Sequence, residues 1–260
     1  MTGKVSIVGA GPGAADLLTV RAATVLRAGN VILHDDLVPR EILELAGPEA
    51  EIVGVGKRCG TNSITQAQIN SLMVLYARQG KRVVRLKAGD PAVFGRLGEE
   101  LDALRDAGIP YEIVPGITAS AAAAAGAGLT LTDRRTASTL VLMTGHNAHG
   151  KSLSHTLLDP QQTTYAIYMP GPDYGRTVEE LLQLGLSSAT PCALVSNACR
   201  KEQQVRFLSL FELQFTSAVG TPAVLIVGEV ARSGIFEQST LLLEKINESI
   251  GSTAQIPAYQ

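Results

Sequence analysis

Tryptophan is missing from this chain and aromatic residues make up only 4% of it, so its core must be aliphatic. Neither sign of charge dominates: 22 Lys and Arg stand against 24 Asp and Glu, for a net charge of −2. No global positive field exists to hold a nucleic-acid backbone, and an anionic ligand must be met by locally placed Arg and Lys. Nucleic acid is therefore not an expected partner. Cysteine is scarce as well. Cys59, Cys192 and Cys199 are odd in number and lack CxxC spacing, which points to neither a disulfide framework nor a zinc knuckle. They read as small buried hydrophobes in a reducing cytosol. Long apolar runs are lacking too. Ala119–Ala127 is interrupted by Ser120 and Gly126 and is far shorter than the roughly 20 residues of a membrane-spanning helix. Val5–Val8 is cut short by Gly9, Gly11, Pro12 and Gly13, so it is no secretory leader. These absences predict a soluble cytoplasmic protein with no membrane association.

What remains is 260 residues, 45% of them apolar, with 26 Gly and 12 Pro. That is enough for a buried core in one large domain or two modest ones, and too apolar for disorder. Short β-branched runs alternate with helical patterns: Lys4–Gly9, Ala15–Ala28, Val31–Leu33, Arg40–Ala46, Glu51–Val55. This is the rhythm of parallel β-α-β units. Thr65 and Gln68 have capping-box spacing, and Ile69, Leu72, Met73 and Tyr76 follow as an apolar stripe, which predicts a helix over Thr65–Arg78. Arg82–Leu86 reads as the next strand, Leu97–Ala107 as a helix and Tyr111–Val114 as a fifth strand. At Pro115-Gly116 the rhythm breaks. An Ala-rich helix, Thr118–Ala127, leads to strands at Thr139–Met143, Thr164–Met169, Ala193–Ser196 and Ala223–Val227, with a hairpin near Val205–Phe207. The expected organisation is an N-terminal α/β domain over 1–115, a C-terminal α/β domain over 116–250 and a flexible tail over 251–260, with a ligand cleft between the domains.

The first glycine loop, Gly9-Ala10-Gly11-Pro12-Gly13, follows a predicted strand and opens a predicted helix, where dinucleotide-binding folds place their phosphate loop. Ala14 stands where the third glycine belongs, and Pro12 removes an N–H that a pyrophosphate would need. Asp35, some twenty residues on, could serve as the ribose acid. Taken alone, the loop is compatible with a dinucleotide, another nucleoside ligand or a structural turn. A second loop, Lys87-Ala88-Gly89-Asp90-Pro91, also follows a strand and should share its rim, since ligands in open α/β sheets sit at the carboxyl ends of strands.

Further segments recur in order: His34–Val38 (HDDLV), Val55–Arg58 (VGKR), Phe94–Glu100 (FGRLGEE), Val114–Ala119 (VPGITA), Thr144–His146 (TGH), Tyr168-Met169 and Val227–Val230 (VGEV). With GAGPG and KAGDP, this series resembles the tetrapyrrole methyltransferase family over roughly Lys4 to Val230, most closely its uroporphyrinogen-III branch. The resemblance implies two α/β domains with mostly parallel sheets flanking a cofactor cleft. It implies a homodimer, and methyl transfer from S-adenosylmethionine to uroporphyrinogen III at C2 and then C7, giving precorrin-2 for sirohaem or cobalamin synthesis. With three residues before the first strand, no fused dehydrogenase and ferrochelatase part is expected.

The resemblance also assigns roles. Asp35 would be the proton acceptor and Lys57 the proton donor, with Arg96 and Glu99, three apart on one helix face, as the rival acid–base pair. Pro12, Ala88, Gly89, Asp90, Val93, Thr118 and Ala119 would line the cofactor site, joined from the second domain by Met169 and Ala198. Arg58, Arg134, Arg135 and His146 would meet the substrate's eight carboxylates, Arg being suited to bidentate grip. Displacement at carbon requires no metal. The chain departs from the family pattern at His34, Ala88, Leu97, Asp133, Met169-Pro170 and Ala198, which leaves another precorrin methyltransferase as an alternative. A nicotinamide-dependent oxidoreductase using Gly9–Gly13 and Asp35 is the alternative from a different class.

Overall fold

The computed structural model describes residues 2–56, 64–145 and 158–235. Lys57, Arg58, Cys59, His146 and the expected tail lie outside these residues. The chain divides into two compact units, Met1–Ala122 with Asn197–Glu202, and Ala123–Ser196 with Gln203–Gln260. The division falls inside a helix, Ala119–Gly126, a few residues past the Pro115-Gly116 break.

In the first unit, β1 (Lys4–Gly9), β2 (Val31–His34), β3 (Glu51–Gly54), β4 (Arg82–Lys87) and β5 (Tyr111–Val114) form one sheet in the order β3-β2-β4-β1-β5. Every pair is parallel, and helices cover both faces. On one face, Val5, Ile7, Val31, Leu33 and Val83 pack against Ile69, Met73 and Ala77 of α3 (Gln66–Arg78) and Leu104 of α4 (Leu97–Asp106). On the other, Val8, Ile32, Val84, Leu86 and Val114 pack against Ala22 and Leu26 of α1 (Val20–Ala28) and Ile42 of α2 (Arg40–Leu43). Each fully buried Val, Leu, Ile or Met among them contributes about 1.5–3 kcal/mol. α3 begins where its sequence predicts: the Thr65 hydroxyl accepts from the Gln68 N–H, and the Gln68 side chain accepts from the Thr65 N–H. That reciprocal cap satisfies two otherwise orphaned donors.

The helix expected over Ala15–Ala28 is shorter. Ala15–Leu17 forms a single 3₁₀ turn, and α1 starts at Val20, capped by the Thr19 hydroxyl.

After α5 (Ala119–Gly126), the second unit contains β6 (Thr139–Thr144), β7 (Thr163–Tyr168), α6 (Tyr174–Gln183), β8 (Pro191–Ser196), β9 (Gln204–Ser209), α7 (Leu210–Leu213) and β10 (Ala223–Val227). The sheet order is β6-β7-β10-β8-β9. The α/β class is as the sequence predicts, but the expectation of a mostly parallel second sheet needs correcting. Only β6 and β7 pair in parallel; β10 runs against both β7 and β8, and β9 against β8. The β8–β9 connection is too short for a helical crossover and so reverses the chain. α6 presents Tyr174, Thr177, Val178 and Leu181, spaced for one helix face, to a core shared with Tyr165, Ile167, Leu194 and Leu225. No helix among the described residues is long and apolar enough to cross a membrane.

Candidate functional site

A fully parallel sheet gathers all its carboxyl ends on one rim. In the first unit the loops after β2, β4, β1 and β5 follow one another along it, carrying HDDLV, KAGDP, GAGPG and VPGITA in that order. Three of these loops are stitched together through glycine backbone. The Gly11 N–H donates to the Gly89 carbonyl at 3.2 Å, the Gly89 N–H to the Gly11 carbonyl at 2.7 Å, and the Ala10 N–H to the Lys87 carbonyl at 2.7 Å. A Cβ on Gly116 would lie 2.3 Å from the Gly89 carbonyl oxygen, and one on Gly9 would lie 2.6 Å from the Gly116 nitrogen. No side chain fits between these strands of backbone, which is why glycine stands at both positions.

Asp90 is the fourth stitch. Its carboxylate accepts from the Ala92 N–H at 2.8 Å and from the Gly116 N–H at 3.0 Å, tying the second glycine loop to the loop after β5. Ala88 does not adopt a positive φ, so the departure from glycine there carries no backbone strain. Above Gly89 the space is open: an added Cβ would find only the Ala119 nitrogen, at 3.9 Å. Together with the small side chains of Ala88 and Ala119, this opening fits a ligand that approaches the backbone closely.

The glycine loop is not a dinucleotide loop. A 3₁₀ turn, not the amino end of an α-helix, follows it, and the Gly11 N–H is spent on Gly89. The helix-terminal donors that would hold a pyrophosphate are therefore not presented there.

Beside the glycine rim lies a cluster of buried charge. Period-two alternation along β4 turns Val83, Arg85 and Lys87 to one face, beneath α3 and α4. The side chains of Arg85 and Lys87 are 2% and 4% exposed, and that of Glu100, on α4, is 0% exposed. Glu100 Oε1 accepts from Arg85 Nε at 3.0 Å, from Lys87 Nζ at 2.8 Å and from Gln66 Nε2 at 3.3 Å. Its Oε2 is buried without a partner among the described residues. Arg85 also donates to the Leu33 and Leu86 carbonyls, both at 3.3 Å, and forms an ion pair with Asp35. Of the four ionic side chains in this cluster, Asp35, at the end of β2 and 29% exposed, is the one that reaches solvent. Burial holds the Lys87 ammonium below its usual value and neighbouring Arg85 pushes the same way, while Glu100 and Asp35 pull it up.

The rival pair, Arg96 and Glu99, forms a two-pronged ion pair with both bonds at 2.7 Å, and both side chains are about half exposed. The hydrogen bonds that Arg96 donates to Glu99 raise the Arg96 value. These two groups hold one another at the surface. The carboxylate on the same helix turn that reaches into the core is Glu100.

In the second unit, β6, β7 and β8 run the same way, and the register aligns Thr144 with Tyr168. Through β10, Tyr168 and Ser196 face the adjacent residues Val224 and Ala223. Met169, just past β7, therefore leaves the same end of that sheet as the end of β8, after which Asn197–Glu202, with Ala198, groups with the first unit. Arg134 and Arg135 are exposed. Arg135 is bound to Asp133 through Nε at 3.0 Å and Nη2 at 2.6 Å, and this bonding holds the Asp133 carboxyl at about 2.

Backbone strain is concentrated at the sequence-predicted positions. Among the described residues, those other than glycine with positive φ are Phe94, Arg96, Met169, Asn197 and Cys199. One follows Val93, two flank Ala198, and the other two, Arg96 and Met169, are candidate site residues themselves. Left-handed conformations of such residues cost of order 1–3 kcal/mol and cluster at functional sites.

Sequence reasoning passed over Arg85, Lys87 and Glu100, although the alternation in Arg82–Lys87 carried the signal: two cations on the face of a strand otherwise fit for burial require an acid. Arg200, described below, had no local signal.

The profile of the tetrapyrrole (corrin/porphyrin) methylases matches residues 4–214. Siroheme synthase 1 of Pectobacterium atrosepticum is 45% identical over 230 residues, covering 88% of this chain and 48% of that protein. The siroheme synthase of Photobacterium profundum is 44% identical over 230 residues, covering 88% and 49%. The chain thus spans about half the length of the curated relatives it matches. Among solved structures, the uroporphyrin-III-C-methyltransferase from Thermus thermophilus is 38% identical with a TM-score of 0.74, covering 89% of this chain and 94% of that one. A structure of the Thermus enzyme complexed with S-adenyl homocysteine is 36% identical with a TM-score of 0.76, covering 89% and 94%.

Proposed function

The chain belongs to the tetrapyrrole (corrin/porphyrin) methylases, and from that premise we propose that it methylates uroporphyrinogen III at C2 and then C7, giving precorrin-2, with S-adenosylmethionine as methyl donor. The observation that carries this reading is the glycine-stitched rim of the first unit with the Asp35 carboxylate beside it. The methyl donor, when bound, supplies an electrophilic methyl group on a sulfonium.

The chain's own residues do the rest. Pro12, Ala88, Gly89, Asp90, Val93, Thr118, Ala119 and Ala198, all of the first unit, hold the donor together with Met169. Much of the barrier is removed by holding the methyl in line with the attacking pyrrole carbon. Attack by that carbon leaves a cationic macrocycle, which must lose a proton. Asp35 accepts it, being a carboxylate fixed at one end by Arg85 and open to solvent. Lys57 acts as proton donor. Arg58, Arg134, Arg135 and His146 bind substrate carboxylates, Arg135 by exchanging its Asp133 partner. The protein works in the cytoplasm as a homodimer, without nucleic acid or membrane partners, and its product serves sirohaem or cobalamin synthesis.

Enzymatically generated uroporphyrinogen III and methyl-labelled donor test this reading. The native chain should label the tetrapyrrole, and Asp35→Asn should lower the rate by about 10²–10⁴-fold while S-adenosylhomocysteine still binds in calorimetry. No label transferred by the native chain, or an undiminished rate in D35N, would overturn it.

A further inference from the structure

Arg200 lies far along the sequence from the loops it touches. Its Nε donates to the Pro12 carbonyl at 2.9 Å and its Nη2 to the Leu37 carbonyl at 2.8 Å. Pro12 belongs to the first glycine loop, and Leu37 stands two residues after Asp35 in the turn closed by the Val38 N–H on the Asp35 carbonyl. One guanidinium therefore spans the loop after β1 and the loop after β2. Gly13 makes room for it: a Cβ there would lie 2.5 Å from Arg200 Nε. The segment bearing Arg200 is pinned in turn, since the Arg200 N–H donates to the Asn197 carbonyl at 3.0 Å and Cys199 Sγ to the Ala122 carbonyl at 3.4 Å. Asn197 and Cys199 both take left-handed backbone to form this turn.

We propose that Arg200 is a positioning residue that clamps the Pro12 loop to the Asp35 turn, so that the donor-binding loop is shaped only while the guanidinium bridges both carbonyls. This resolves an oddity of the glycine loop. Pro12 offers no N–H to a ligand, but its carbonyl is the anchor for the clamp. A planar fork can serve two acceptors in different loops, whereas a lysine ammonium on a flexible stem cannot reproduce that span. The clamp rests on the reading that the Pro12 loop holds S-adenosylmethionine.

The test is calorimetric titration of the full chain with S-adenosylhomocysteine. Arg200→Ala should raise Kd by about 30-fold, the scale of one or two lost charge-assisted hydrogen bonds. Arg200→Lys should fall between the two. Arg176→Ala, which removes an exposed helix arginine paired with Glu180, should leave Kd unchanged. Guanidinium chloride at tens of millimolar should restore much of the R200A affinity, and potassium chloride at equal concentration should not, because only the former supplies a fork to both carbonyls.

An R200A protein with native Kd, or a weakened one that guanidinium fails to rescue, overturns the clamp. A lowered melting midpoint with unchanged Kd does the same, since it marks a purely structural arginine. If the native chain itself does not bind S-adenosylhomocysteine, the underlying functional reading fails instead.

Discussion

In the first sheet all five strands run one way, and in the second two of five run against the rest. The two sheets also differ in what they bury. Among the described residues, the buried ionic groups Arg85, Lys87 and Glu100 all belong to the first unit. The buried polar groups of the second unit are hydroxyls, those of Thr163, Thr164, Thr177, Thr190 and Ser196. Both interiors are aliphatic and neither needs ions to cohere. Burying an ion pair seldom adds net stability over a hydrophobic replacement. The charges in the first unit are therefore explained by what they hold, namely Asp35 at the rim where four motif loops gather. Among the described residues, the second sheet packs around a core with no buried ion.

Breaking the buried cluster should have the largest effect. Glu100→Ala leaves two cations facing each other in a closed interior and should cost about 3–5 kcal/mol of stability, the range for removing one partner of a buried pair. Urea unfolding of the native and variant chains would measure it. A loss under about 1 kcal/mol would mean that water reaches the cluster freely, and the contrast between the sheets would then have no energetic content.

How much of this was legible beforehand follows from the range of each signal. The α3 cap was readable because both partners lie within one turn of helix, at Thr65 and Gln68. The five strands of the first sheet were readable because each is a short run rich in β-branched residues with glycine or proline nearby. Strand direction in the second sheet was not, since a period of two is the same in parallel and antiparallel strands; only the short β8–β9 link betrayed a reversal. At the site, the motifs named the rim but not its foundation. Arg85 sits inside the strand read over Arg82–Leu86 with nothing local to mark its partner, and the three-residue spacing on α4 points from Arg96 to Glu99, leaving Glu100 unmarked. Arg200 meets Pro12 across 188 positions, a distance over which local patterns carry no information.

A second prediction asks whether the contrast concerns buried charge or charge in general. Glu112 on β5 accepts from Ser6 at 2.8 Å and pairs with Lys4 at 2.9 Å and Arg21 at 2.5 Å. The hydrogen bond from Lys4, aided by those from Arg21 and Ser6 against the opposing effect of burial, lowers its value from 4.5 to about 2. A folded-state value below the unfolded one contributes stability above about pH 4.5 that is lost as pH falls through about 2. Lys4 and Arg21 are half exposed or more, so solvent screening limits the contribution to about 1 kcal/mol. Glu112→Gln should thus melt lower than the native chain at pH 7, and the two should converge near pH 2. An equal gap at both pH values would show that the carboxylate's charge plays no part.

The smallest effect is expected in the second sheet, and with the opposite sign. Thr164 is fully buried on β7, and its hydroxyl has no partner among the described residues. An unsatisfied buried hydroxyl carries its desolvation cost without return. Valine keeps the β-branched shape and supplies a methyl in its place, so Thr164→Val should be neutral or stabilise the chain by up to about 1 kcal/mol. Chemical denaturation decides the sign. If T164V destabilises by more than that, the hydroxyl is satisfied by an ordered water and the second core is not indifferent to polarity. If it stabilises while E100A is severely damaging, removing a buried polar group helps in one sheet and harms in the other. That difference in sign would separate a core selected for packing from one that supports chemistry.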